Sequence, residues 1–344
     1  MATINKDNKL MALLSVWGIL LVLLGHSGFE EPIIQQKLHY LHGWIYSFHM
    51  PLFFMISGYL YSLTNRNFID IRAGQFMRKK AVRLLVPYVV LGVILYGIKY
   101  VFSGLSHASR VFSVGTFFKM FISPGCEGST MGYLWYVFTL FMVFAIVVTL
   151  NRVHIDLKKP EWCFVLIVIF GMMSAYLSHI GWFNWNTVCR DFPYFIVGIL
   201  LHRYESKILM FINGGVYFNL LIFSVLSVIM LFVDLPCTNK IEHLLEAFIG
   251  LAMSIQLCSM LLHCEWVVRF ILPLAKYTYC IYLLSWFGHY AAKIVLVNLM
   301  HVHWAIVVLA MFVAGFLLPL IVCQMMTRIN WLNKQKWLHL VIGY

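Results

Sequence analysis

The chain has 344 residues, 62% hydrophobic and only 11% charged, with a mean hydropathy of +0.85 and a formal net charge of +12. Soluble domains carry about 25% charged residues, so this composition excludes an ordinary soluble protein and defines a polytopic membrane chain. The positive balance does not signal a nucleic-acid binder, because Lys and Arg sit in short loops between apolar runs and form no basic module.

Ten apolar segments of roughly 20 residues are predicted to be membrane helices. They run over 10–28, 43–63, 84–103, 133–150, 161–180, 188–204, 215–234, 242–263, 270–296 and 303–325. The predicted fold is therefore all-α: one integral-membrane domain spanning 1–344, built as a transmembrane helical bundle of about ten helices. Most of the 25 Lys and Arg residues fall in one alternate set of loops. The positive-inside bias places that set, and both termini, in the cytoplasm. The short sixth segment opens on Arg190-Asp191; without it Arg269, Lys276, Arg328, Lys334 and Lys336 would all move outside.

The first segment, Leu10 to Ser27, follows Lys6 and Lys9 but lacks a small-residue cleavage site. It reads as a retained helix rather than a signal peptide. It ends in Gly25-His26-Ser27. An outer loop over 29–42 carries Glu30, Glu31, His39 and His42. The second segment contains His49, with Pro51 two residues on. Ionisable side chains within membrane spans are costly and usually face a cavity or the bundle interior. The predicted topology brings His26 and His49 to similar depth near the outer face. Two readings follow: a general base that accepts a hydroxyl proton, or a polar contact between helices. Pro51 removes a backbone donor and frees a carbonyl.

The loop over 64–83 holds Arg66, Asp70, Arg72, Arg78, Lys79, Lys80 and Arg83. In a helix reaching Pro87, Arg72, Lys79 and Arg83 share a face. The stretch reads either as a juxtamembrane basic segment on anionic lipid or as a site for coenzyme phosphates. A second long outer loop, 104–132, ends in a polar, glycine-rich run containing Glu127. Trp135 and Tyr136 then open a helix at the outer interface, as an aromatic belt or as a stacking surface for sugar.

The eight cysteines are scattered and form no CxxC pair. They read as small buried hydrophobes, with a bridge among Cys126, Cys189 and Cys237 as the alternative. His26, His39, His42 and His49 lack the helical ligand spacing with a neighbouring carboxylate that would announce a metal site, so no metal is expected. There is no GxSxG elbow, phosphate loop or dinucleotide fingerprint.

Several blocks together resemble acyltransferase family 3, the membrane acyltransferases of surface polysaccharides. They are Leu23-Leu24-Gly25-His26-Ser27, His49 to Tyr59, Arg78 to Tyr88, Leu134-Trp135-Tyr136, Phe192 to Gly198 and Lys276 to Leu284. The resemblance implies transfer of an acyl group, usually acetyl from cytoplasmic acetyl-CoA, to a hydroxyl of an envelope polysaccharide or lipid-linked sugar. It implies catalytic roles for His26 and His49 and a donor site at Arg78, Lys79 and Arg83. Trp135, Tyr136 and Glu127 are then expected to face the acceptor. The expected setting is the cell inner (plasma) membrane, with lipids around the bundle, no nucleic-acid partner and no permanently bound cofactor. Three positions depart from the family pattern: Ser15 and Ala12 stand where charged residues are usual, and Ser285 where a histidine follows Tyr-Leu-Leu. A transporter or flippase using the same histidine cavity, and a structural partner in a glycan-synthesis complex, are the competing functions.

Overall fold

A computed structural model describes residues 6–28, 31–64, 73–101, 112–125, 129–176, 180–207, 216–232 and 240–343. Glu30, Arg66, Asp70, Arg72, Cys126, Glu127 and Cys237 lie outside the described residues. The protein is all-helical there, with no strand.

The principal helices are α1 (Lys6–Gly25), α2 (Pro32–Lys37), α3 (His39–Thr64), α4 (Ala73–Val101), α5 (Val114–Ile122), α6 (Trp135–Arg152) and α7 (Pro160–Tyr176). They continue as α8 (Trp185–Arg203), α9 (Val216–Phe232), α10 (Lys240–Leu261), α11 (Thr278–Lys293), α12 (Trp304–Arg328), α13 (Asn330–Asn333) and α14 (Lys336–Val341). A helix lies over each of the ten predicted apolar segments. Five helical stretches, Ala73–Val101, Gly132–Arg152, Leu244–Leu261, Val267–Leu299 and Trp304–Arg328, are long and apolar enough to cross a membrane.

Three features differ from the sequence expectation. Pro87 does not end the basic segment; it sits inside α4, so Arg78, Lys79 and Arg83 belong to the first turns of one long helix. The two long loops are partly helical. The first contains α2, with a proline in its first turn, and the second contains α5, opened by a reciprocal capping box between Ser113 and Thr116. Finally, Cys189 is a buried free thiol in α8 rather than a loop cysteine.

The bundle is centred on α3, which packs against α1, α8 and α10. In lipid the apolar face gains little by leaving its surroundings, so close backbone approach and interhelical hydrogen bonds carry association. The α3–α8 crossing shows the first of these. A methyl on Gly58 would collide with the carbonyl of Phe195, and one on Gly198 with the carbonyl of Met55. Only hydrogen fits at either position. The second is seen where Trp17 Nε1 donates to Ser254 Oγ (3.2 Å) between α1 and α10, and Asn151 Nδ2 to the Tyr61 hydroxyl (2.9 Å) between α6 and α3. Each such bond contributes on the order of 1 kcal/mol.

Candidate active site

α1 ends at Gly25, and His26 follows in a tight turn, its N–H still donating to the carbonyl of Val22 (3.0 Å). The turn frees the imidazole from the helix wall, and His26 is exposed while its neighbours Gly25 and Ser27 are buried. His49 is the opposite case: it sits ten residues into α3 and is only 3% exposed. Both line a single cavity of about 670 Å³.

The ring of Tyr46, one turn before Met50 on α3, connects the histidines. Its centroid is 6.2 Å from that of His26 and 4.8 Å from that of His49, edge-on to both. His42 packs on the same tyrosine at 4.0 Å. His49 Nδ1 lies 2.8 Å from the carbonyl oxygen of Ile45. A carbonyl only accepts, so Nδ1 carries the proton, and in its neutral form the ring presents Nε2 as a base.

Two prolines shape the wall: Pro51 from α3 and Pro193 from α8. Each lacks an N–H, so the carbonyls of Ser47 and Cys189 receive no helical donor. Ser47 itself lines the cavity.

Opposite them stands an ion pair that the sequence showed only as an interruption of an apolar run. Arg190 Nε and Nη2 donate to the two carboxylate oxygens of Asp191 at 2.9 and 2.8 Å. Asp191 is fully buried, whereas half of the Arg190 side chain is exposed in the cavity region. The guanidinium lies 5.4 Å from the centroid of Trp135, so a predicted site residue helps to hold it. Asn186 and Thr187 complete a polar rim.

The structure therefore brings His26, His49 and Trp135 together. Tyr136 is placed elsewhere. It is buried behind Trp135, its hydroxyl 3.2 Å from Ser57 Oγ and 3.4 Å from the carbonyl of Phe53, and it does not reach the cavity wall. The rotation of α6 turns Trp135 outward and its successor into the core. Glu127 is outside the described residues.

A third histidine, His289, was not selected from sequence. It lies one turn beyond Ser285 on α11, and the two share a small cleft with His26. Its Nε2 is buried with no hydrogen-bond partner among the described residues. The signal that marks it is the one that marks His26, an ionisable ring inside an apolar helix.

Arg78, Lys79 and Arg83 line a separate open groove of about 690 Å³ beside the first turns of α4. Lys80 is turned away from it, its ammonium 4.0 Å from the centre of the Phe144 ring. Among the described residues, no group of three or more His, Cys, Asp or Glu side chains is arranged to hold a metal ion.

The described residues thus form an all-helical bundle with two imidazoles on one cavity and a basic groove elsewhere. The acyltransferase 3 family model, described as an acyltransferase domain, matches residues 13–328, and the chain belongs to that family. Neither the comparison with curated proteins nor that with solved structures gave a match.

Proposed function

We propose that this acyltransferase moves an acetyl group from cytoplasmic acetyl-CoA to a hydroxyl of an envelope polysaccharide or lipid-linked sugar. The observation that carries this reading is the shared cavity of His26 and His49, with a fixed Nδ1–H tautomer on His49. The acceptor hydroxyl gives its proton to an imidazole nitrogen as its oxygen attacks the thioester carbonyl. The C–S bond then breaks, and the imidazolium returns the proton to the departing thiolate. Arg190, with donors left over from its pair with Asp191, is suited to the oxygen on which negative charge develops.

In this reading the bundle crosses the inner (plasma) membrane ten times with both termini cytoplasmic. The ion pair between Lys293 and Glu31, at 2.8 Å, supports that arrangement, because Glu31 falls in a loop assigned to the outer side and Lys293 at the end of a segment assigned to emerge there. The phosphates of the coenzyme bind at Arg78, Lys79 and Arg83, cationic donors on one stretch of helix. The acceptor sugar rests against Trp135 and the Asn186–Thr187 rim.

Acetylation of envelope glycans, followed by mass spectrometry in cells carrying the wild-type chain or His26→Ala at matched protein levels, tests the assignment. Loss of one acetyl mass from the glycan supports it. Unchanged acetylation removes His26 from the mechanism.

A further inference from the structure

The basic groove has a second wall. Arg78, Lys79 and Arg83 of α4 form one side; His339, Leu340 and Gly343, at the end of the chain, form the other. These last residues lie beyond residue 328, where the match to the family ends. The wall therefore comes from a segment outside that match.

The two sides differ in chemistry. The α4 side is cationic. The other offers an imidazole ring and a leucine, and Val82 faces it from α4. A ligand that satisfies both needs phosphates at one edge and a flat, weakly polar ring at the other. We propose that the segment around α14 is the nucleobase wall of the donor site, seating the adenine of the coenzyme against His339 and Leu340. This rests on the donor reading above and assigns residues that reading leaves out.

The segment is fixed firmly enough to serve. α14 packs on α4. His339 Nε2 donates to the carbonyl of Asn333 at 3.2 Å, which sets the plane of its ring. Gly343 adopts a φ of +73°, and a side chain there would press into the ring of Tyr279. Tyr279 in turn donates its hydroxyl to the carbonyl of Arg83 (3.1 Å), and the Arg83 guanidinium lies 5.8 Å from its ring centroid. Gly343, Tyr279 and Arg83 thus form one packed unit, so the chain end also supports a phosphate-binding cation. Trp331 in α13 and Trp337 in α14 are both largely exposed, as suits residues at a membrane interface.

The test uses full-length protein in lipid nanodiscs and measures affinity for coenzyme A, adenosine 3′,5′-bisphosphate and 4′-phosphopantetheine. His339→Ala should weaken the two adenine-containing ligands roughly tenfold, as loss of base stacking does, and leave phosphopantetheine unchanged. His339→Phe should restore binding, and Lys79→Ala should weaken all three. Wild-type affinity for coenzyme A in His339→Ala overturns the proposal and leaves the donor reading intact. If the wild-type protein binds none of the three, and only nanodiscs made with anionic lipid occupy the groove, both fall together.

Discussion

His26 and His49 are coupled through one aromatic ring: Tyr46 lies edge-on to both imidazoles, at 6.2 and 4.8 Å. The tyrosine hydroxyl adds a 3.3 Å bond to the carbonyl of Gly25, tying α3 to the turn that carries His26. The ring therefore spaces two imidazoles, one from the turn after α1 and the other from α3. Tyr46→Phe keeps the spacer and loses this long, part-buried hydrogen bond, so turnover should fall only a few-fold. Tyr46→Ala removes the spacer, and a shift of about 1 Å between the imidazoles should lower turnover on the order of a hundredfold. Equal effects from the two substitutions would show that the ring has no spacing role.

The pair between Arg190 and Asp191 joins a fully buried carboxylate to a half-exposed guanidinium. Arg190→Ala leaves the carboxylate charged and unpaired in the bundle, a loss of roughly 3–5 kcal/mol. Replacing both residues removes that penalty. Thermal unfolding in detergent should therefore rank the wild type first, the Arg190→Ala/Asp191→Ala double variant second and Arg190→Ala last. A double variant less stable than the single one would contradict this.

Much of this site was readable from residue types and spacing. His26 and His49 stand out because imidazoles are expensive within apolar helices, and Pro51 marks a freed carbonyl. The cations of α4 were legible as a cluster because they form the most charged stretch of an otherwise apolar chain. Other parts depend on rotations and tertiary contacts that a linear pattern does not encode. Arg190 and Asp191 are adjacent in sequence, and neighbours on a helix do not ordinarily face each other, so their bidentate pairing was hidden. Trp135 and Tyr136 look equivalent until the rotation of α6 separates them. The chain end beyond Arg328 has no apolar periodicity, and its place on the groove comes from packing against α4 and Tyr279.

The α3–α8 crossing makes a plain stability prediction. Gly58→Ala and Gly198→Ala each drive a methyl into a facing backbone carbonyl, which cannot move aside as a side chain would. Each should cost about 1–3 kcal/mol or more, seen as a lowered unfolding temperature and lower membrane yield. Gly97 on α4 has open space around it. Gly97→Ala should be neutral or stabilise by up to ~1 kcal/mol, through helix propensity alone. If the crossing glycines behave like Gly97, the helices are not in the close contact described.

A mixed population of glycans would blur single-variant comparisons, so the central claim is best tested with donor and acceptor followed together. Inverted membrane vesicles, whose cytoplasmic face is accessible, can be supplied with acetyl-CoA carrying an isotopic label in the acetyl group. The label is then traced by mass spectrometry of the glycan fraction in wild type, His26→Ala and His49→Ala at equal protein levels. Histidine-dependent acetyl transfer predicts label on the glycan in the wild type only. Equal labelling in all three preparations would contradict it.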